Sequence, residues 1–210
     1  MSQINAARPA TRHAAPVSAS SIVIIQGHPD GRGGTFCHAL ADAYAEGAAR
    51  AGHAVTRLEV ARIEVPVLRT QEDFETGSPG PEIARAQAAI RDARHVVIIH
   101  PLWLGDMPAL LKAFLEQVMR PSFAFHRDGS RTRAALGGRS ARVIVTMGMP
   151  AMAYRWYFGA PGLKVLDRHI LRFRGIRPVR ATLIGMIGTL SPARRARWLE
   201  AARALGRKGA

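Results

Sequence analysis

The sequence contains one cysteine, Cys37, in 210 residues. That excludes an intramolecular disulfide and any Cys-based zinc site, and it fits a reducing, cytoplasmic setting. No apolar run approaches the ~20 residues that a membrane-spanning helix needs, and no apolar core of a secretory signal is present. Lysine is nearly missing, with three (Lys112, Lys164 and Lys208) among 30 basic residues. Acidic residues number 15, half the basic count, so the formal net charge is +15. Aromatics are only 6%. A hydrophobic content of 48% nevertheless excludes global disorder, and a chain of this length buries enough surface to fold as one domain without a covalent staple.

The charge is unevenly placed. Residues 1–90 carry a net of −1 and residues 91–210 a net of +16. So basic a chain raises nucleic acid or an anionic membrane surface as a partner; an arginine bias accompanied by abundant Ala, Gly and Pro also fits coding composition. The arginines are scattered through helices and loops, among them Arg172, Arg174, Arg177, Arg180, Arg194, Arg195 and Arg197. With no zinc-finger spacing and no aromatic RNA-binding strand, a nucleic-acid partner is not expected. The histidines show no i, i+4 pair with a carboxylate partner, so no metal site is expected.

Residues 1–20 lack acids and apolar periodicity and contain two prolines, which predicts a disordered tail ahead of a domain over 21–210. From Ser21 onward, short β-branched runs alternate with amphipathic stretches. Strands are predicted at 21–27, 53–60, 95–103, 141–148 and 177–185. The intervening helices are predicted at 35–51, 82–93, from Pro108 through Met119, 163–174, and from Ser191 to about Leu205. Residues 121–142, with two glycine turns, read as a short hairpin excursion. Such alternation implies parallel βαβ units and a three-layer α/β fold, a doubly wound five-stranded sheet in flavodoxin-like order.

Ligands of such sheets lie beyond the carboxyl ends of the strands, which singles out three loops. The first, from Gly27 to Phe36, is glycine-rich and opens a helix, so its amides suit a phosphate. Thr35 can cap the helix there, and His28 and Arg32 can add a donor or charge. An ordinary glycine turn fits the same residues, since neither a Walker A nor a GxGxxG spacing is present. In the second, Pro101-Leu102-Trp103-Leu104-Gly105-Asp106-Met107-Pro108, apolar groups are held between two prolines. They form either a wall for a flat heteroaromatic ligand or simply core at a strand end. The third, Thr146-Met147-Gly148, leads to Tyr154, which fits either a ligand contact or a subunit interface.

The segments GHP with TFCHAL, then HPLWLGDMPALLKAFLEQV, SFAF, VTMG and Tyr154 together resemble the NAD(P)H:quinone oxidoreductase branch of flavodoxin-like proteins, including the ancillary flavoproteins of potassium-efflux systems. The resemblance runs from about Ser21 to Leu205 and is most specific after the third strand. It implies FMN, or alternatively FAD, held by His28, Thr35, Phe36, Cys37, Pro101, Leu102, Trp103, Leu104, Gly105, Thr146, Met147 and Gly148, to which the chemistry of the first loop adds Arg32 and Gly34. It further implies a homodimer, NAD(P)H and a quinone-like acceptor used in turn, and Tyr154 as the residue orienting or protonating the acceptor. Contact with a transporter or membrane periphery is the alternative role. The sequence departs from the family pattern in the loop 29–34, which carries extra glycines and an arginine, at Met147 in place of a threonine, at Leu104 in place of a second aromatic, and at Ala160 where a histidine is usual.

Overall fold

A computed structural model of the chain describes residues 19–128 and 131–210. The expected tail falls mainly on residues 1–18, which lie outside the described residues. The elements begin with β1 (Ser21–Gln26), α1 (Phe36–Arg50), β2 (Ala54–Glu59), a short α2 (Gln71–Glu75) and α3 (Pro81–Asp92). They continue with β3 (His95–Pro101), α4 (Ala109–Val118), α5 (Pro121–Ala124), β4 (Phe125–Asp128) and β5 (Arg131–Ala134). Then come β6 (Ser140–Thr146), α6 (Pro161–Lys164), β7 (Val179–Ile184) and α7 (Pro192–Lys208).

The main sheet is parallel with order β2-β1-β3-β6-β7, the flavodoxin-like order expected from sequence. β3 sits at its centre and is buried along its whole length, which explains why its sequence is a continuous apolar run rather than an alternating one. Successive side chains point to opposite faces, and two cores result. Val23, Ile25, Val96, Ile98, Val143 and Val145 pack against α3 and α4. Ile22, Ile24, Val97, Ile99, Ile144 and Ile184 pack beneath α1 and α7. The predicted excursion is the β4–β5 hairpin; its tip lies outside the described residues.

The predicted helix at 163–174 is not a regular α-helix. After α6 the chain widens to π geometry over Val165–Leu171 and closes in a 3₁₀ turn. Asp167 and Arg172, five residues apart, form an ion pair at 2.6 Å, a spacing that a π turn places on one face and an α-helix does not. A second π turn spans Ala153–Tyr157. α2, unanticipated by periodicity, is nucleated by Thr70, whose hydroxyl accepts from Asp73 N–H at 3.0 Å.

α7 folds back across α1. Their backbones approach so closely that a Cβ on Gly47 would collide with the Arg203 carbonyl, and one on Gly206 with the Tyr44 carbonyl. This contact carries the start of α7, from the basic half of the chain, to the end of the sheet where β1 delivers its loop.

Candidate functional site

Three loops from the carboxyl ends of β1, β3 and β6 meet at one rim. Leu102 N–H donates to the Thr146 carbonyl at 2.7 Å, tying the β3 loop to β6. The Cys37 Sγ and Thr146 Oγ1 atoms lie 3.2 Å apart, tying β6 to the start of α1. The His28 ring stands edge-on to Trp103 with centroids 6.0 Å apart, joining the β1 and β3 loops.

In the first loop, Gly33 and Gly34 have φ of +83° and +76°, left-handed values that disfavour any residue with a Cβ. Nothing lies within 4 Å of where their Cβ atoms would be, so the glycines are required by backbone conformation and the space beside them is open. Thr35 occupies the N-cap position without a side-chain cap; its hydroxyl lies 2.7 Å from His38 Nδ1 instead. The N–H groups of Phe36, Cys37 and His38 therefore have no protein partner among the described residues. A fifteen-residue helix with an uncapped start beside two left-handed glycines has the backbone chemistry that suits an anion.

Arg32 pairs with a neighbour in the same loop. Its guanidinium and N–H bind Asp30 at 2.8–3.0 Å, and the pairing holds the Asp30 carboxyl well below its usual range. A cation of the basic half, Arg195, lies beside the first residue of α1. Its guanidinium lies 5.3 Å from the Phe36 ring centroid, fixed by donation to the Ile187 carbonyl at 2.6 Å. Sequence reasoning missed it because nothing local marks one arginine among so many. Gln26 was also missed. Its side-chain amide is buried at the end of β1 with no partner among the described residues, and a polar residue closing the run SIVIIQ was the available signal.

The Cys37 thiol is buried against Thr146. Burial pushes the thiol up to about 11, opposed by the Thr146 hydrogen bond. Burial, followed by the neighbouring His38, lowers the His28 ring from its ordinary value, so His28 stands near the rim as a neutral imidazole at pH 7.

The second loop is a tight turn. Trp103 N–H donates to the Asp106 carbonyl at 2.8 Å and Asp106 N–H returns to Trp103 at 2.9 Å. Leu104 and Gly105 between them both have positive φ, +49° and +83°, the signature of a type I′ turn. A leucine there costs on the order of 1 kcal/mol of backbone strain. Its side chain is fully exposed, and the Leu104 and Gly105 N–H groups have no protein partner among the described residues. Pro101 closes β3 opposite Thr146.

In the third loop, Thr146 and Met147 are buried. Thr146 turns its hydroxyl to Cys37, and Met147 N–H is spent on the Ile184 carbonyl at 2.9 Å. Gly148 remains exposed, with an N–H that has no partner among the described residues. Tyr154 departs most from expectation. It is 1% exposed; its hydroxyl donates to the Gly105 carbonyl at 3.3 Å and accepts from Leu163 N–H at 3.2 Å. Burial raises its pKa. The hydroxyl braces the turn that carries Leu104. Among the described residues no group of His, Cys, Asp or Glu is arranged to hold a metal.

Comparisons with known proteins bear on the fold. The sequence model of a family described as having a flavodoxin-like fold matches residues 20–207. Among solved structures, the chain is similar to an NAD(P)H:quinone oxidoreductase from Methanothermobacter marburgensis, with a TM-score of 0.73, 24% identity and coverage of 90% of this chain and 96% of that one. It is also similar to an FMN-dependent NADH-azoreductase from Bacillus anthracis in complex with FMN, with a TM-score of 0.66, 18% identity and coverage of 89% and 99%. At these identities the solved structures establish the fold. A stretch of 75 residues is 37% identical to the glutathione-regulated potassium-efflux system ancillary protein KefG of Escherichia coli. The chain spans 39% of the length of that curated relative and the match takes in 36% of this chain.

Proposed function

The chain belongs to the family of flavodoxin-like fold, and we propose that it is a flavoprotein oxidoreductase passing two electrons from NAD(P)H to a quinone-like acceptor, with FMN as its cofactor. The observation that carries this reading is the convergence of an uncapped helix start, two left-handed glycines beside open space and a turn whose N–H groups have no partner among the described residues, all on loops from one end of the sheet. The residues present fit FMN: a phosphate needs free N–H groups at a helix start, and a flat ring system needs an apolar wall with main-chain donors. FMN, when bound, supplies the two-electron chemistry.

The protein's own part is to bind, orient and shield. The N–H groups of Phe36, Cys37 and His38, with the Arg195 guanidinium nearby, would hold the phosphate. Trp103 and Leu104 would wall the ring system, and the N–H groups of Leu104, Gly105 and Gly148 would stabilise negative charge where it accumulates. Tyr154 is a positioning residue, acting through the turn it braces. The broadly basic back half favours the approach of an anionic nicotinamide nucleotide. Full exposure of Leu104 and strong exposure of Tyr157 and Phe158 support a homodimer that covers them. A cytoplasmic setting suits a buried free thiol and reduced nicotinamide.

The KefG match favours a second reading, that of an ancillary subunit of a membrane potassium-efflux system with little turnover of its own. Among the described residues, no helix is long and apolar enough to cross a membrane, so such a role would be peripheral. The purified protein's visible spectrum, followed by chromatography of the released chromophore, tests the main reading. A yellow protein releasing FMN supports it. A colourless protein that takes up no added flavin overturns it. Steady-state turnover with NAD(P)H and a quinone then separates the two roles, and parallel double-reciprocal lines are expected where donor and acceptor alternate at one site.

A further inference from the structure

β7 is an edge strand, and its free side is a prepared surface. Pro178 and Ile184 give their carbonyls inward to Ala141 N–H and Met147 N–H at 2.8 and 2.9 Å. In a parallel ladder, inward and outward groups alternate along the strand, so Val179, Ala181 and Leu183 present their N–H and C=O groups outward. The two ends of this edge are closed. Arg172, itself held by Asp167, donates to the Val179 carbonyl at 3.4 Å. At the other end, Met149–Ala151 packs against Gly185. What remains open is the edge at Ala181 and Leu183.

Grooves flank this window on both faces of the sheet. One, of about 720 Å³, is lined by Ala181 and Leu183 together with Trp156, Arg155, Lys164 and Arg168. The other, of about 610 Å³, shares Leu183 and Met152 with the first and adds Met186, Trp198, Arg194 and Arg197. The cations are uncompensated: among the described residues none of Arg155, Lys164, Arg168, Arg194 and Arg197 forms an ion pair. The one carboxylate lining either groove, Asp167, is already bound to Arg172 at 2.6 Å. Arg155 lies over the Trp156 ring at 5.5 Å, which turns an apolar wall into a cationic one.

We propose that the outer edge of β7 is a docking strip for an extended acidic segment of a partner protein, added as a short extra strand at Ala181 and Leu183. An added strand points its side chains alternately to the two faces of the sheet. Acidic side chains would then fall by turns toward Arg155, Lys164 and Arg168 and toward Arg194 and Arg197. This explains why cations line both grooves, which a ligand lying on one face would not require. A flat anionic membrane would meet the cations but leave the edge N–H and C=O groups unpaired, so a peptide satisfies more of what is exposed. The inference goes beyond the redox reading and does not depend on it.

The test is fluorescence anisotropy of the full chain with a short fluorescein-labelled peptide in which Glu-Glu pairs alternate with Val-Val pairs, so that each face of the added strand carries acids. Controls are a Lys-for-Glu version, a version with proline replacing the valines, and phosphatidylserine vesicles. Saturable binding of the Glu peptide is expected, with both control peptides weaker by at least about tenfold. Arg168→Glu, at an exposed position, should weaken it by about tenfold. Ala181→Pro, which removes an outward N–H while sparing the bonds to β6, should do likewise. Flavin content and melting temperature, read on the same samples, show that each variant is folded. Equal binding of the proline peptide, an unchanged Ala181→Pro, or vesicle binding without peptide binding would each overturn the proposal.

Discussion

The Tyr154 hydroxyl donates to the Gly105 carbonyl at 3.3 Å and accepts from Leu163 N–H at 3.2 Å, so one phenol pins a positive-φ turn to the start of α6. Tyr154→Phe removes the phenol and strands both partners, a loss of ~1–3 kcal/mol when the groups are buried. The melting temperature should fall by several degrees. The pH dependence of turnover should keep its shape, because the hydroxyl is consumed inside the protein; a lost basic limb in the pH–rate profile would show that the phenol itself meets the acceptor.

Arg195 places a back-half cation over the Phe36 ring at the α1 start, 5.3 Å from its centroid. Arg195→Gln should weaken FMN by about tenfold, the scale of one charge-assisted contact, and leave riboflavin, which lacks the phosphate, almost unaffected. Titrating both flavins by fluorescence quenching measures the difference. Equal losses for the two would place Arg195 away from the phosphate.

Cys37 is buried, and its thiol is pushed up to about 11. Because the thiolate is the reactive form, the folded protein at pH 8 should react with a disulfide reagent at least about a hundredfold more slowly than the urea-unfolded chain. Absorbance of the released thiol chromophore follows both rates. Comparable rates would mean that the helix start opens readily.

His95 is held neutral, its pKa lowered to about 4 chiefly by burial and secondarily by the neighbouring Arg142. Its ring packs parallel to Tyr44, with centroids 6.5 Å apart, and its Nδ1 lies 2.7 Å from the Ser140 hydroxyl. The unfolded chain takes up this proton near pH 6.5 and the folded chain does not until about 4. Between those values the unfolded state binds more protons, so stability contributed by neutral His95 is present above pH 6.5 and is lost as the pH falls. Urea midpoints should therefore drop between pH 7 and pH 5. His95→Gln should flatten that slope, whatever its effect at pH 7; an unchanged slope would assign the acid sensitivity to other groups.

Much of this architecture is written in local pattern. Runs such as SIVIIQG and HVVIIHP are continuous because β1 and β3 are covered on both faces, and Pro108 and Ser191 mark helix starts by their own backbone chemistry. The loops after β1, β3 and β6 follow from topology, since parallel strands deliver their carboxyl ends to one rim. The π geometry at Val165–Leu171 was not legible, because helical periodicity cannot distinguish a wide turn from an ordinary one. The roles of Arg32, Thr146 and Tyr154 were not legible either. Each is a residue type suited to a ligand, and in each case a neighbour distant in sequence or a local carboxylate claimed its polar group first.

The sequence by itself determined the strand–helix alternation, the glycine-rich loop and the division of charge at residue 90, because these depend on composition and on near neighbours. Only the tertiary structure decided where the charge goes. The packing of α7 on α1, possible because Gly47 and Gly206 leave room for the backbones to touch, brings Arg195 across the chain to Phe36. Order along the chain therefore separates the basic half from the start of α1, and the fold reunites them. Electrostatic attraction depends on distance in space, and that distance is set by helix packing rather than by position in sequence.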